Sequence, residues 1–330
     1  LSFFEVNNIF SLTTPQEFDR QCLELFRFQY EENPVYRRWC QLTGADPAAV
    51  KTPASIPALP ISFFKTHPVT TTRFSPEQVF ESSGTTGSQT SRHLVKDTEI
   101  YRESFLTAFT RVYGPPEKWC VLGLLPSYLE RKGSSLVYMV DELVRRSGHP
   151  QSGFYLDEHE KLCDTLQQLE KQEQPTLLIG VSFALLDFAA AFPQQLRHTI
   201  VMETGGMKGR RKELTRQELH ALLQQGLGVK QVHSEYGMTE LLSQAYSQGE
   251  GRFVCPPWMR VLVRDEEDPL QVRATGRGLL SVIDLANCYS CAFIATEDVG
   301  TVYEDGSFEV WGRLDNSDIR GCTMLVETGI

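Results

Sequence analysis

Residues 80–93 read FESSGTTGSQTSRH, and within them Ser82, Ser83, Gly84, Thr85, Thr86, Gly87 and Ser88 form an unbroken run of small residues. Such a run packs no core and favours neither helix nor strand. What it offers is chemistry: many hydroxyls, and glycines that let backbone N–H groups turn toward a bound anion. A flexible Ser/Gly linker has the same composition, so the run alone leaves anion cradle and linker equally open. Gly87 is followed by Ser88 rather than Lys, and no G-x-G-x-x-G opens a helix after a first strand. Neither a P-loop kinase nor a dinucleotide dehydrogenase fits.

Three more polar stretches each follow an apolar one: ETGGMKGRRK follows TIVM, SEYGMTE follows VKQVH, and TEDVG follows AFIA. Their residue types suit a nucleotide. Gly205 and Gly206 let a flat ring approach the backbone, and Tyr236 can stack on a purine. Asp298 can accept from ribose hydroxyls, and Glu240 can hold a hard cation such as Mg²⁺ against phosphate oxygens. Lys208, Arg210 and Arg211 bring positive charge to the same region. Each also has a structural alternative: Tyr236 as a core aromatic with its hydroxyl satisfied, Glu240 as a helix cap, Lys208 to Lys212 as a solvated face. His93 and His233 lie beside two of the stretches and can contact phosphate or carboxylate, or serve structure alone. Cys288 and Cys291 make a single C-x-x-C. With no second pair, structural cysteines fit better than a zinc half-site completed by Cys255.

Positioning these stretches falls to alternating elements. TPQEFDRQCLELFRFQYEEN opens with a capping box, Thr14 with Pro15 and Glu17, and places Phe18, Cys22, Leu25 and Phe26 at helical spacing. SIPALPISFFKTH is proline-punctuated and predicts extended chain. From residue 80 the pattern becomes strand, turn, helix. Strands are expected at Trp119–Pro126, Pro175–Ser182, His198–Gly206 and from Val229, with helices at SSLVYMVDELVRRSG, FALLDFAAAF and after the Thr215/Glu218 capping box. This alternation predicts a largely parallel α/β sheet covered on both faces. Ligands bind such sheets past the strand C-termini, where the polar stretches fall. After about residue 250 helices give way to short strands, with Asp305-Gly306 as a hairpin turn.

The chain has 330 residues, 41% of them hydrophobic, enough for one large domain or two to three smaller units. Asp and Glu outnumber Lys and Arg by 42 to 32, a formal charge of −10, which argues against nucleic acid as a partner. A locally basic phosphate pocket remains compatible. Eight scattered cysteines, with no secretory h-region and no apolar run long enough for a bilayer, predict free thiols in a cytoplasmic, reducing setting without integral membrane contact.

Taken together, the stretches resemble the adenylate-forming (acyl-activating) enzymes. SSGTTGS at Ser82–Ser88 is similar to their phosphate-binding motif, YGMTE at Tyr236–Glu240 to their adenine and Mg²⁺ motif, and TEDVG at Thr296–Gly300 to their ribose-binding motif. GRLDNSDIRG at Gly312–Gly321 resembles the hinge between their large and small domains, so the motifs keep the family's order across nearly 240 residues. LPSYLERKGSSLVYM (Leu125–Met139), PPWMRVLVRD and the ending RGCTMLV resemble the acyl-protein synthetase branch, which includes the LuxE-type component of the bioluminescence fatty acid reductase.

The resemblance implies the large-domain α/β fold of these enzymes plus a β-rich subdomain, with the C-terminal small domain largely missing. The expected division is an N-terminal helical segment (1–80), an α/β nucleotide-binding core (81–248), a β-rich subdomain (249–312) and a hinge with a short tail (313–330). It implies ATP and Mg²⁺ as cofactors and a carboxylic, by branch a fatty, acid as substrate. The acid becomes an acyl-adenylate, then passes to an enzyme cysteine for delivery to a reductase or other acceptor. By motif position Ser82 to Gly87 cradle phosphate. Tyr236, with Gly237 and Thr239, meets adenine, Glu240 holds Mg²⁺, Asp298 and Arg313 hold ribose, and Asp315 is the hinge. Cys322 takes the place of the acyl acceptor, and Arg320 would favour its thiolate. Nine residues follow Gly321, so the small domain and its catalytic lysine are expected to be missing. That weakens the alternative of a stand-alone acyl-CoA or acyl-carrier ligase, and it motivates a third reading, an inactive adenylate-binding protein. Gly180–Ala190 is a candidate wall of the acid pocket.

Overall fold

The computed structural model describes residues 6–82, 89–125, 133–156, 158–205, 214–265, 268 and 270–314. The capping chemistry at Thr14 starts helix α1 (Pro15–Glu32): its hydroxyl accepts the Glu17 N–H at 3.2 Å, and the Glu17 carboxylate accepts the Thr14 N–H at 3.0 Å. Phe18, Cys22, Leu25 and Phe26 form the buried face, as the spacing predicts. Asn33 then caps α2 (Pro34–Leu42) by accepting the Tyr36 N–H. The proline-punctuated stretch is extended only at strand β1 (Leu59–Pro60) and becomes one helical turn, α3 (Phe63–Thr66). No proline occurs between Pro60 and Pro68, so the extended expectation fails where nothing blocks coiling. The antiparallel hairpin of β2 (Gln78–Glu81) and β3 (Arg92–Val95) flanks the Ser/Thr/Gly run.

The first sheet contains β4 (Cys120–Leu124), β5 (Gly153–Phe154), β6 (Thr176–Gly180), β7 (Thr199–Glu203), β8 (Val232–Tyr236) and β9 (Ala245–Ser247). Their order is β5-β4-β6-β7-β8-β9, parallel except for antiparallel β9. Helices α4 (Thr98–Tyr113), α5 (Ser135–Ser147), α6 (His159–Lys171), α7 (Ser182–Ala191) and α8 (Arg216–Leu227) connect and cover it. Every residue of β4 and β6 is buried, which is why CVLGL and TLLIG read as continuous apolar runs rather than alternating ones. Left-handed Gly148 and Gly228 end α5 and α8. Among the described residues no helix is long and apolar enough to cross a membrane.

The second sheet contains β10 (Arg252–Phe253), β11 (Met259–Arg264), β12 (Val272–Arg273), β13 (Gly276–Asp284), β14 (Phe293–Val302) and β15 (Phe308–Arg313). They lie in the order β10-β15-β14-β13-β11-β12, antiparallel throughout, and β1 adds to β14 in parallel. Gly306 adopts φ +80° in the turn expected at Asp305-Gly306.

Helix α1 is pinned to the loop that feeds β14. Gln29, fully buried, donates to the carbonyls of Asn287 (2.9 Å) and Cys288 (3.0 Å) and accepts the Ala292 N–H (2.9 Å). Asn33 donates to the Ser290 carbonyl at 3.0 Å. Replacing Gln29 by Leu strands several buried groups, each worth about 1–3 kcal/mol, so urea unfolding should show a loss of about 3 kcal/mol. A loss below about 0.5 kcal/mol would contradict this account of the junction.

Candidate active site

The site is built from the C-terminal ends of β6, β7 and β8. After β7 the chain turns at Gly205, whose φ of +75° would strain any residue with a side chain. Its carbonyl accepts the Ser182 N–H at 2.8 Å, and among the described residues beyond its chain neighbours no heavy atom lies within 4 Å of where a Cβ would stand. Glu203 closes β7 and is buried. It accepts from the Ser182 hydroxyl (3.1 Å), the Gly205 N–H (2.8 Å) and Arg216 Nε (3.4 Å), with His220 Nε2 at 3.7 Å. Burial alone would raise its pKa. The His220 hydrogen bond, the Arg216 charge and bonds from Ser234 and Gly205 outweigh that and hold it at about 2.

Glu235, on β8, lines a cavity of about 140 Å³ with Tyr101, Thr204, Met238, Thr239 and Gln244. Burial, then the nearby Glu203 charge, push its pKa up to about 8, so it is protonated at neutral pH. A Cβ on Gly237 would meet Glu235 Oε1, so a side chain there would displace that carboxyl group. Gln244 Oε1, in the same wall, is buried with no hydrogen-bond partner. No residue of 180–190 lines this cavity, and α7 instead packs into the core.

Tyr236 follows Glu235 and crosses to the second sheet. Its hydroxyl donates to Asp298 Oδ2 at 2.8 Å, and Arg313 Nε donates to Oδ1 of the same carboxylate at 2.9 Å. Asp298 and Arg313 face each other in the β14–β15 register. The Tyr236 ring packs on Phe253 and Phe308, with centroids at 5.8 and 5.1 Å. The hydroxyl is therefore satisfied within the protein. Asp298 keeps free lone pairs on both oxygens, since a carboxylate has about four acceptor sites.

Glu240 lies at the end of the same loop, buried. Burial raises its pKa, opposed by a Ser91 hydrogen bond and by the Arg313 and Lys65 charges. It forms no ion pair among the described residues. Its carbonyl accepts from Asn287 Nδ2 at 2.7 Å. Ser91 N–H donates to Ser82 Oγ at 2.9 Å, and Ser82 N–H to the Ser91 carbonyl at 3.1 Å. Next on β3, buried His93 donates from Nδ1 to the Thr239 carbonyl at 2.9 Å. Burial pushes the His93 pKa down to about 4, so it is neutral, and its role is structural. The two flanks of the Ser/Thr/Gly run are thus docked on Thr239–Glu240.

The structure brings Ser82, Gly205, Tyr236, Gly237, Thr239, Glu240, Asp298 and Arg313 to one rim. Ser83, Gly84, Thr85, Thr86, Gly87, Gly206, Lys208, Arg210, Arg211, Asp315, Arg320 and Cys322 lie outside the described residues. His233 is not at the rim cluster; its Nδ1 pairs with the Tyr113 hydroxyl at 3.1 Å. Cys288 and Cys291 are buried with thiol pKa values raised by burial, and no three metal-ligating side chains gather among the described residues. Sequence reasoning passed over Glu203, Glu235 and Arg216. An acid inside an otherwise buried strand was the available signal.

The family model described as "Acyl-protein synthetase, LuxE" matches residues 13–329. Long-chain-fatty-acid–luciferin-component ligases of Aliivibrio fischeri and Vibrio harveyi are 23% and 21% identical to the chain, over 97% of it and 93% and 92% of their own lengths. Among solved structures, ATP-bound MatB from Rhodopseudomonas palustris is similar with a TM-score of 0.53 at 15% identity, over 73% of this chain and 49% of its own. FadD1, a long-chain-fatty-acid-CoA ligase from Archaeoglobus fulgidus, is similar with a TM-score of 0.51 at 14% identity, over 72% of this chain and 51% of its own. The chain spans about half the length of these structures, and the likeness gives the fold: the large-domain α/β architecture of the adenylate-forming enzymes.

Glu203 and Glu235 predict opposite pH behaviour. Glu203 ionises near 2 when folded against an ordinary 4.5, so its contribution is present above 4.5 and lost as pH falls toward 2. Glu203→Gln should cost about 3 kcal/mol at pH 7, because Arg216 loses its buried partner. Glu235 keeps its proton to about 8 when folded and releases it near 4.5 when unfolded, so stability declines as pH rises between those values. Glu235→Gln should therefore be more stable than wild type at pH 8 and no different below 4.5. Urea melts across pH that gave the two proteins parallel profiles would contradict the assignment.

Proposed function

The chain belongs to the acyl-protein synthetase (LuxE) family, and from that premise we propose that it activates a fatty acid with ATP and carries the acyl group on its own cysteine. The observation that carries this reading is the docking of the β2–β3 hairpin on the second loop, through His93 on the Thr239 carbonyl and Ser91 beside Glu240. Ser82, at the edge of the hydroxyl-rich run, pairs with Ser91, and the Glu240 carboxylate and the Asp298–Arg313 pair lie nearby, which supports the reading.

In the first step the substrate carboxylate attacks the α-phosphorus of ATP. The bond from that phosphorus to the bridging oxygen breaks, and pyrophosphate leaves. The Ser82–Gly87 run supplies N–H and O–H donors to the phosphates. Asp298 accepts the ribose hydroxyls while Arg313 and Tyr236 hold its carboxylate in place. The residues fit one Mg²⁺: Glu240 is a hard oxygen ligand without a cation, and Mg²⁺ commonly takes one or two carboxylates with the rest phosphate and water. Bound there, the ion would neutralise charge between the acid and the phosphates. In the second step the Cys322 thiolate attacks the acyl carbon, AMP departs, and a thioester forms. A reductase is the acceptor class we infer for that thioester.

Carboxylate-dependent ATP–pyrophosphate exchange tests the first step. Asp298→Ala and Glu240→Gln should each lower exchange by about 10²–10³-fold, the scale of losing one electrostatic contact to the transition state. Intact mass after ATP and tetradecanoate should show one acyl adduct, absent in Cys322→Ala while exchange survives. Exchange without any acid dependence, or an adduct persisting in Cys322→Ala, would contradict the reading.

A further inference from the structure

A second groove opens where β11 ends at Arg264. That side chain is only 8% exposed. One Nη2 donor is spent on the Thr296 carbonyl, and Nε is buried without a hydrogen-bond partner. No carboxylate forms an ion pair with Arg264 among the described residues. Buried charges are normally paired, because desolvation is costly when they are not.

Arg264 lines a groove of about 730 Å³, inside the range of about 300–1,000 Å³ typical of small-ligand sites. The other walls are mainly apolar: Trp39, Leu42, Ile56, Pro57, Leu270 and Val272. Leu42 and Leu270 are 65% and 62% exposed. The Trp39 indole N–H is already spent on the Ala58 carbonyl at 2.9 Å. Asp268 also lines the groove, but its carboxylate accepts the Leu270 N–H at 3.1 Å. The groove shares no lining residue with the rim cavity.

We propose that this groove binds a carboxylate-headed acyl chain, with the head group on the Arg264 guanidinium and the chain along the Trp39–Leu42–Leu270 walls. A guanidinium fork takes carboxylate or phosphate. Among the described lining residues Arg264 is the sole cation and Asp268 the sole acid, so one added negative charge on the ligand is tolerated better than two. Neither the identity of the rim's substrate nor Cys322 enters this inference.

Trp39 provides the readout. A brominated decanoate titrated into the full chain should quench tryptophan fluorescence saturably, and Trp39→Phe should abolish that quenching. Arg264→Met should weaken binding at least tenfold. Leu42→Glu, at an exposed position that leaves the core untouched, should do the same by placing an acid at the mouth, and it decides the matter if the arginine variant does not fold. Bromodecanol and a bromodecyl phosphate should each bind at least tenfold more weakly than the carboxylate. The proposal is overturned by absent saturable quenching, by quenching undiminished in Trp39→Phe, by wild-type affinity in the folded variants, or by either analogue matching the acid.

Discussion

The contact on which the rest depends is the pair of buried Glu203 and partly exposed Arg216. A buried carboxylate at the end of a parallel strand must find compensation within the protein. Arg216 supplies it from the first turn of α8, and the same guanidinium donates from Nη1 to the Val310 carbonyl of β15 at 2.7 Å and lies 5.0 Å over the Phe253 ring. One side chain thereby ties the parallel sheet to the antiparallel one. That tie sits beside the place where Tyr236 of the first sheet reaches Asp298 of the second. Breaking such a pair costs more than the pair contributes, because the partner left behind is still buried.

The rim concentrates acids, and each is handled by different chemistry. Glu203 and Asp298 have arginines. Asp284 has backbone instead: the N–H groups of Leu242 and Ala286 at 2.8 and 3.1 Å, with the Ser243 hydroxyl. Burial still wins there and raises its pKa to about 6. Glu235 is neutralised by its own proton. Glu240 forms no ion pair among the described residues, although a Ser91 hydrogen bond and the Arg313 and Lys65 charges oppose the effect of its burial. A divalent cation at Glu240 would put positive charge between this carboxylate and an approaching triphosphate, the arrangement that Coulomb's law favours. The acidic overall balance of the chain and an anionic substrate are reconciled locally rather than globally.

Much of the scaffold was legible in the amino-acid order because its causes are local. Thr14 with Glu17, Thr215 with Glu218 and Gly148 act within a few residues and mark helix ends correctly. Buried parallel strands announce themselves as apolar runs. The motif residues were legible as types, and Tyr236, Glu240, Asp298 and Arg313 do gather. What could not be read were contacts whose partners are far apart in sequence. Gln29 acts through carbonyls more than 250 residues away, and His93 through a carbonyl 146 residues on. His93 was legible only as a histidine beside a motif, and its burial, which excludes a charged role at neutral pH, is a tertiary fact. Tyr236 combines both of its sequence alternatives: it packs as a core aromatic with a satisfied hydroxyl, and that hydroxyl is held by the residue assigned to ribose.

The most direct test of the account is a crystal structure of the full chain with Mg²⁺ and an ATP analogue whose α,β-bridging oxygen is replaced by methylene. The account predicts ribose hydroxyls on the Asp298 carboxylate, phosphate oxygens among Ser82–Gly87, and a metal at about 2.0–2.1 Å from a Glu240 oxygen. A nucleotide seated elsewhere, or seated here with Glu240 turned away from both metal and phosphate, would contradict it.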